Sequence, residues 1–311
     1  MKKYRRPIVI FLVILAGYYL LEPGNRYLLM KYNSGNEYGQ FYYHNGLWPQ
    51  RIRLGSDFQR GLSTADLSPD GKQIVFENNG IIYTYRLPMG QITPISSESF
   101  NAYYVNKIQW SPDGSQIGFV CSLKLDTAEI CVFDVASQQL HILTDYHTQK
   151  NYTVPYFGSW GSNNDSIVYV LRTNPSADGE TLDSIKIIHT KSGQIDTVLD
   201  EAKTNLAAFG WEPVLSPDGK TILFSGAILD WTYGKSEIYQ VNVNGSNLHQ
   251  VAEMDGFYLA NPVWSPDGQS FYVHSSDGNY FKPIHFNLDG KRLIGIPFQY
   301  QRTLLSWKMV K

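Results

Sequence analysis

A carboxylate and an imidazole that meet over a substrate can serve as general acid and base, and the pair in this chain best placed to do so is Glu212 and His147. No linear motif joins them. The remaining histidines, His44, His141, His189, His249, His274 and His285, lack the HxH or HxxxH spacing that puts two imidazoles on one metal ion. A serine nucleophile on a strained elbow needs Gly-x-Ser-x-Gly, and the nearest approach, Gly158-Ser159-Trp160-Gly161, has the wrong spacing. Asp70, Asp113, Asp218 and Asp267 each stand in the same phrase, Ser-Pro-Asp-Gly, where a carboxylate caps a turn. One such aspartate per repeat spreads the group out instead of pairing it for catalysis or metal binding. No metal and no cofactor are expected. The only cysteines, Cys121 and Cys131, fall on adjacent strands. If their hairpin centres on Asp126 they stand opposite each other, and the expectation is a cross-strand disulfide in an oxidising compartment, with two buried, reduced thiols as the alternative.

These groups are positioned by a repeat. Trp264-Ser265-Pro266-Asp267-Gly268 leads into Phe271 and Val273; Leu67 to Gly71 leads into Ile74 and Phe76; Trp110 to Gly114 into Ile117 and Phe119; Leu215 to Gly219 into Ile222 and Phe224. A degraded copy, Trp160-Gly161-Ser162-Asn163-Asn164, leads into Ile167 and Tyr169. Ser-Pro-Asp-Gly is type I turn chemistry, with Pro presetting φ and Gly accepting the fourth position. The alternating residues after it read as the return strand of an antiparallel hairpin. Two further strands follow in each unit, as in Glu237 to Val243 and Leu248 to Val251. The anchors at 67, 110, 160, 215 and 264 are 43, 50, 55 and 49 residues apart, the spacing of four-stranded propeller blades. A sixth unit assembles from both ends of the chain: Leu28 to Tyr43 aligns without gaps on Phe271 to Phe286, and Arg302 to Trp307 supplies its innermost strand. The expected fold is all-β, a six-bladed β-propeller of four-stranded antiparallel blades over residues 26–311.

Residues 1–25 stand apart. Lys2, Lys3, Arg5 and Arg6 precede a charge-free run from Pro7 to Leu21, the pattern of a signal peptide or signal anchor helix. No small-x-small cleavage site follows, so the reading favours an uncleaved anchor with the propeller outside the cytoplasm, in the periplasm or at the cell surface, and membrane contact through this segment. Without those four basic residues, 22 Lys and Arg face 28 Asp and Glu, which leaves no basic face for nucleic acid.

The W-S-P-D-G-x-x-I-x-F phrase resembles the WD40-like PD40 repeat of TolB-type six-bladed propellers, over roughly residues 26 to 309. The resemblance implies a rigid scaffold of the kind found in envelope binding proteins and in N-terminal domains of serine peptidases. Function on such a scaffold is expected in the longer segments opposite the turns. Those segments and the adjoining strand starts carry Tyr104, Tyr146, Tyr156, Trp211, Trp231 and Tyr258, aromatics suited to binding a protein, peptide or glycan partner. The leading expectation is a non-catalytic binding propeller. The alternative is a glycan lyase or hydrolase with His147 and Glu212 at the channel mouth.

Overall fold

Aromatic and β-branched residues at alternate positions, broken by Gly, Asn and Pro at turns, give strands throughout. The computed structural model describes residues 25–309 apart from 34–35, 45–48, 53, 55–57, 59–61, 88–89, 96–106, 123–127, 149–151, 175–181, 207, 211, 228–235, 277–280 and 294–301. The expected N-terminal signal or anchor helix lies outside the described residues. Among those residues, no helix is long and apolar enough to cross a membrane.

The strands form six separate antiparallel sheets. The first holds β1 (Asn25–Asn33), β2 (Asn36–His44) and β3 (Pro49–Arg51). The second holds β4 (Leu62–Leu67), β5 (Gln73–Asn78), β6 (Ile81–Arg86) and β7 (Gln91–Pro94). The third is β8 (Ile108–Trp110), β9 (Gln116–Cys121), β10 (Glu129–Asp134) and β11 (Gln139–Ile142). The fourth is β12 (Tyr152–Trp160), β13 (Ser166–Asn174), β14 (Leu182–His189) and β15 (Ile195–Asp200). In the fifth, β16 (Ala208–Phe209) and β17 (Val214–Leu215) share the inner position, followed by β18 (Thr221–Ala227), β19 (Glu237–Asn242) and β20 (His249–Ala252). The sixth is β21 (Tyr258–Trp264), β22 (Ser270–Ser276) and β23 (Phe281–Asn287). The last strand, β24 (Arg302–Met309), pairs with β1 from the far end of the chain and completes the first sheet.

Contacts run in a cycle from β24 through β4, β8, β12, β17 and β21 back to β24, so these innermost strands enclose a central channel. This is a propeller with five four-stranded blades. The expectation of six such blades is corrected in one place: the sheet built on the Trp264 repeat has three strands among the described residues. Among the described residues its outer edge carries the bridge from Phe286 to Arg292.

The repeated phrase shapes one face of the ring. In each full copy the glycine N–H returns to the serine carbonyl, as from Gly71 to Ser68 (2.9 Å) and Gly219 to Ser216 (2.8 Å). The glycines take φ near +70°, where an L side chain is strained, and Asn164 takes φ 55° in the degraded copy. Each aspartate accepts its serine hydroxyl at 2.6 to 2.7 Å. The Ser216 hydroxyl and the Lys220 N–H hold the Asp218 carboxyl below the usual carboxylate range. The four aspartates are turn caps, as their spacing predicts.

A second recurring feature, one residue before the anchors at 67, 110 and 160, ties neighbouring blades together. Asp66 accepts the Trp110 N–H (2.9 Å), Gln109 accepts the Trp160 N–H (2.9 Å) and Ser159 accepts the Leu215 N–H (2.8 Å). Anchor side chains fill the space between sheets: Trp110 packs with Val75 and Ile82 of the preceding blade, and Trp160 with Val120 and Val132. The inner strand of the fifth sheet breaks between β16 and β17, where Pro213 has no N–H to pair. The break presses the Pro213 carbonyl against Gly158, a position where a Cβ has no room.

Cys121 pairs across the ladder with Glu129, and Cys131 with Phe119. The expected direct opposition is therefore off by two residues. The cysteines are diagonal neighbours on one face, both fully buried, with Cα atoms 5.8 Å apart and sulfurs within bonding distance.

Candidate binding site

Sequence spacing alone puts Lys107 and Glu212 at the same place in their repeats, three residues before anchors 110 and 215. The inner strands of two non-adjacent blades carry these positions to the channel, where Lys107 Nζ lies 3.2 Å from Glu212 Oε2. The side chains keep only 14% and 23% of their exposure, so the pair is partly desolvated and less screened by water than a surface ion pair. Glu212 is thus engaged by a lysine. His147 falls in a short 3-10 helix, Tyr146–Thr148, and its side chain lies outside the described residues.

From Lys107 toward the turn face runs a cavity of about 420 Å³. Its walls include Trp110, Trp160 and Trp264, and its rim includes Pro112, Pro217 and Pro266 from three copies of the turn phrase. The repeat itself makes this end of the channel apolar, because the Trp110, Leu215 and Trp264 copies each deliver one anchor and one proline.

Of the six aromatics expected at a partner-binding face, Tyr104, Trp211 and Trp231 lie outside the described residues. Tyr146 is not a surface residue. It is 7% exposed, its hydroxyl lies 2.6 Å from that of Tyr169, and burial pushes its phenol up to about 12. The physical reason is the 3-10 turn, which folds Tyr146 back under the blade, where its N–H donates to the buried Glu129 carboxylate (3.0 Å). Tyr258 opens β21 half-buried, and burial raises its hydroxyl above the ordinary value. Tyr156, on β12, lies under the Arg172 guanidinium, 5.8 Å from its ring centre.

Arg172 was not legible in the sequence. It forks onto Asp183 through Nε and a terminal nitrogen at 2.8 and 2.7 Å. Asp183 is 2% exposed, and its N–H donates to Glu201 at 2.7 Å. Burial raises the Glu201 carboxyl, with the neighbouring Asp183 charge adding to it, while the Asp183 N–H and Arg172 oppose the shift. This group joins the loop-side ends of β13 and β14 to β16, since Phe209 N–H also reaches Asp183 (3.4 Å). Lys107 could have been found by aligning the repeats on their anchors and reading the column three residues upstream. Among the described residues no cluster of His, Cys, Asp and Glu has the arrangement of a metal site.

No protein-family model matches the chain, and no curated protein matches it. Solved structures do. A putative TolB from Agrobacterium tumefaciens superposes with a TM-score of 0.61 at 17% identity, covering 89% of this chain and 91% of that one. An oligogalacturonate lyase in complex with manganese gives 0.58 at 15% identity, covering 89% and 75%. A structure of a nidogen/laminin complex gives 0.58 at 13% identity, covering 87% and 92%. At these identities the likeness is one of architecture, and the chain is in fold an all-β, TolB-like propeller.

Proposed function

We propose that this chain is a non-catalytic, extracytoplasmic propeller that binds a protein, peptide or glycan partner on the face opposite the Ser-Pro-Asp-Gly turns. The observation that carries the reading is how the acidic groups are used: the repeat aspartates cap turns, Glu212 holds Lys107, and Asp183 holds Arg172. With these six carboxylates committed to structure, the reading is a shaped surface rather than acid–base chemistry. The nidogen/laminin structure, with its protein partner, is of similar architecture. The three-stranded sheet is read as the sixth blade, Cys121–Cys131 as a disulfide suited to an oxidising compartment, and residues 1–25 as the membrane anchor.

The likeness to the oligogalacturonate lyase favours one second reading, a glycan lyase or hydrolase acting at the channel mouth through His147 and Glu212. One experiment separates the two. The soluble fragment from residue 24 is used to capture partners from envelope extract, as wild type and with Trp231→Ala and Tyr258→Ala, and is assayed in parallel on uronic-acid oligosaccharides. Binding predicts partner recovery that the double variant loses and no glycan cleavage. Cleavage abolished by Glu212→Gln would establish the second reading instead.

A further inference from the structure

The turn-face cavity is apolar in its walls and unbalanced in its hydrogen bonding. Two of its side-chain acceptors are used from within: Gln109 Oε1 takes the Trp160 N–H and Ser159 Oγ takes the Leu215 N–H. The Gln109 and Val214 carbonyls take the indoles of Trp160 and Trp264, both at 3.2 Å. Its donors are not consumed. Lys107 Nζ spends one N–H on Glu212 and has two left, and the Gln109 side-chain amide N–H groups have no acceptor among the described residues. Trp110 breaks the indole pattern too, for its Nε1 is buried with no partner among the described residues. A cavity of about 420 Å³ with apolar walls and spare donors at its inner end has the size and polarity of a small-molecule pocket.

We propose that this cavity binds a compact, neutral, largely apolar molecule that carries one carbonyl acceptor. The apolar body sits among Trp110, Trp160 and Trp264, and the carbonyl oxygen accepts from Lys107 Nζ and the Gln109 amide. Glu212 already balances the lysine charge, so a neutral carbonyl suits the site and a carboxylate would place a second anion beside Glu212. The site lies on the turn face, away from the partner-binding face, so either reading stands if the other fails.

The test uses butyrophenone and its hydrocarbon counterpart butylbenzene, which share a ring and a chain and differ in the carbonyl. Protein labelled with 15N-tryptophan is titrated with each, and the indole signals of Trp110, Trp160 and Trp264 are followed after assignment by Trp→Phe variants. Butyrophenone is expected to shift these signals and to bind about tenfold more tightly than butylbenzene, the difference one hydrogen bond to a charged donor makes. Glu212→Gln frees Lys107 and should tighten butyrophenone alone. The double variant Lys107→Met/Glu212→Gln leaves no unpaired charge and should narrow the preference for butyrophenone to what the Gln109 amide alone supplies. Leu305→Trp, which fills the cavity from β24, should abolish both. Unmoved indole signals, or equal affinities of the two probes for the wild type, would overturn the proposal.

Discussion

His274 sits in β22 between Ala260 of β21 and Pro283 of β23, and withdrawal from water pushes its imidazole from the ordinary 6.5 down to about 4. The unfolded chain then binds a proton that the folded blade refuses, so stability is complete above about pH 6.5 and declines as the solution is acidified toward pH 4. At about 1.36 kcal/mol per pKa unit the whole window holds roughly 3 kcal/mol, of which roughly 2 is lost by about pH 5. Carboxylates that are stabilised in the fold release their share mainly below that point, which makes the interval from about pH 8 to about pH 5 the informative one. Urea unfolding of the wild type and of His274→Gln at these two pH values gives the required comparison. The variant starts less stable, but its loss on acidification should be smaller by about 2 kcal/mol, because the other histidines titrate alike in both proteins. Equal losses in the two proteins would refute the assignment.

Two further outcomes are expected. Arg172→Met strands the buried Asp183 carboxylate and should lower stability by about 3–5 kcal/mol, read as a drop in the urea midpoint, with much of it recovered when Asp183 is also made Asn. Intact mass of the denatured, non-reduced protein should show no alkylated thiol, and Cys121→Ser/Cys131→Ser should cost about 2–4 kcal/mol; two alkylated thiols would remove the disulfide.

The blades were legible because their signals are local. A turn phrase and the alternation after it act within ten residues, so Leu67, Trp110, Trp160, Leu215 and Trp264 could be placed from spacing alone. What failed depended on geometry beyond that range. The register of Cys121 and Cys131 follows from the path of the intervening hairpin, and a shift of two residues keeps the face while changing the partner. Tyr146 had the composition of a loop residue, yet one short helical turn buries it against Tyr169. The Lys107–Glu212 pair joins residues more than a hundred positions apart, and only ring curvature brings them within 3.2 Å.

The pairing of β1 with β24 sets a timetable for assembly. Asn25 meets Met309 and Lys31 meets Arg302, so β1 waits for a strand synthesised more than 260 residues later. Until then β1 has a free ladder edge, available to any other extended chain in reach. Loop-closure entropy makes so distant a pairing late in folding, after the local hairpins have formed. Chains interrupted before Arg302 would carry five sheets' worth of finished structure and one adhesive seam, and they should be the aggregating species in any preparation where synthesis is cut short.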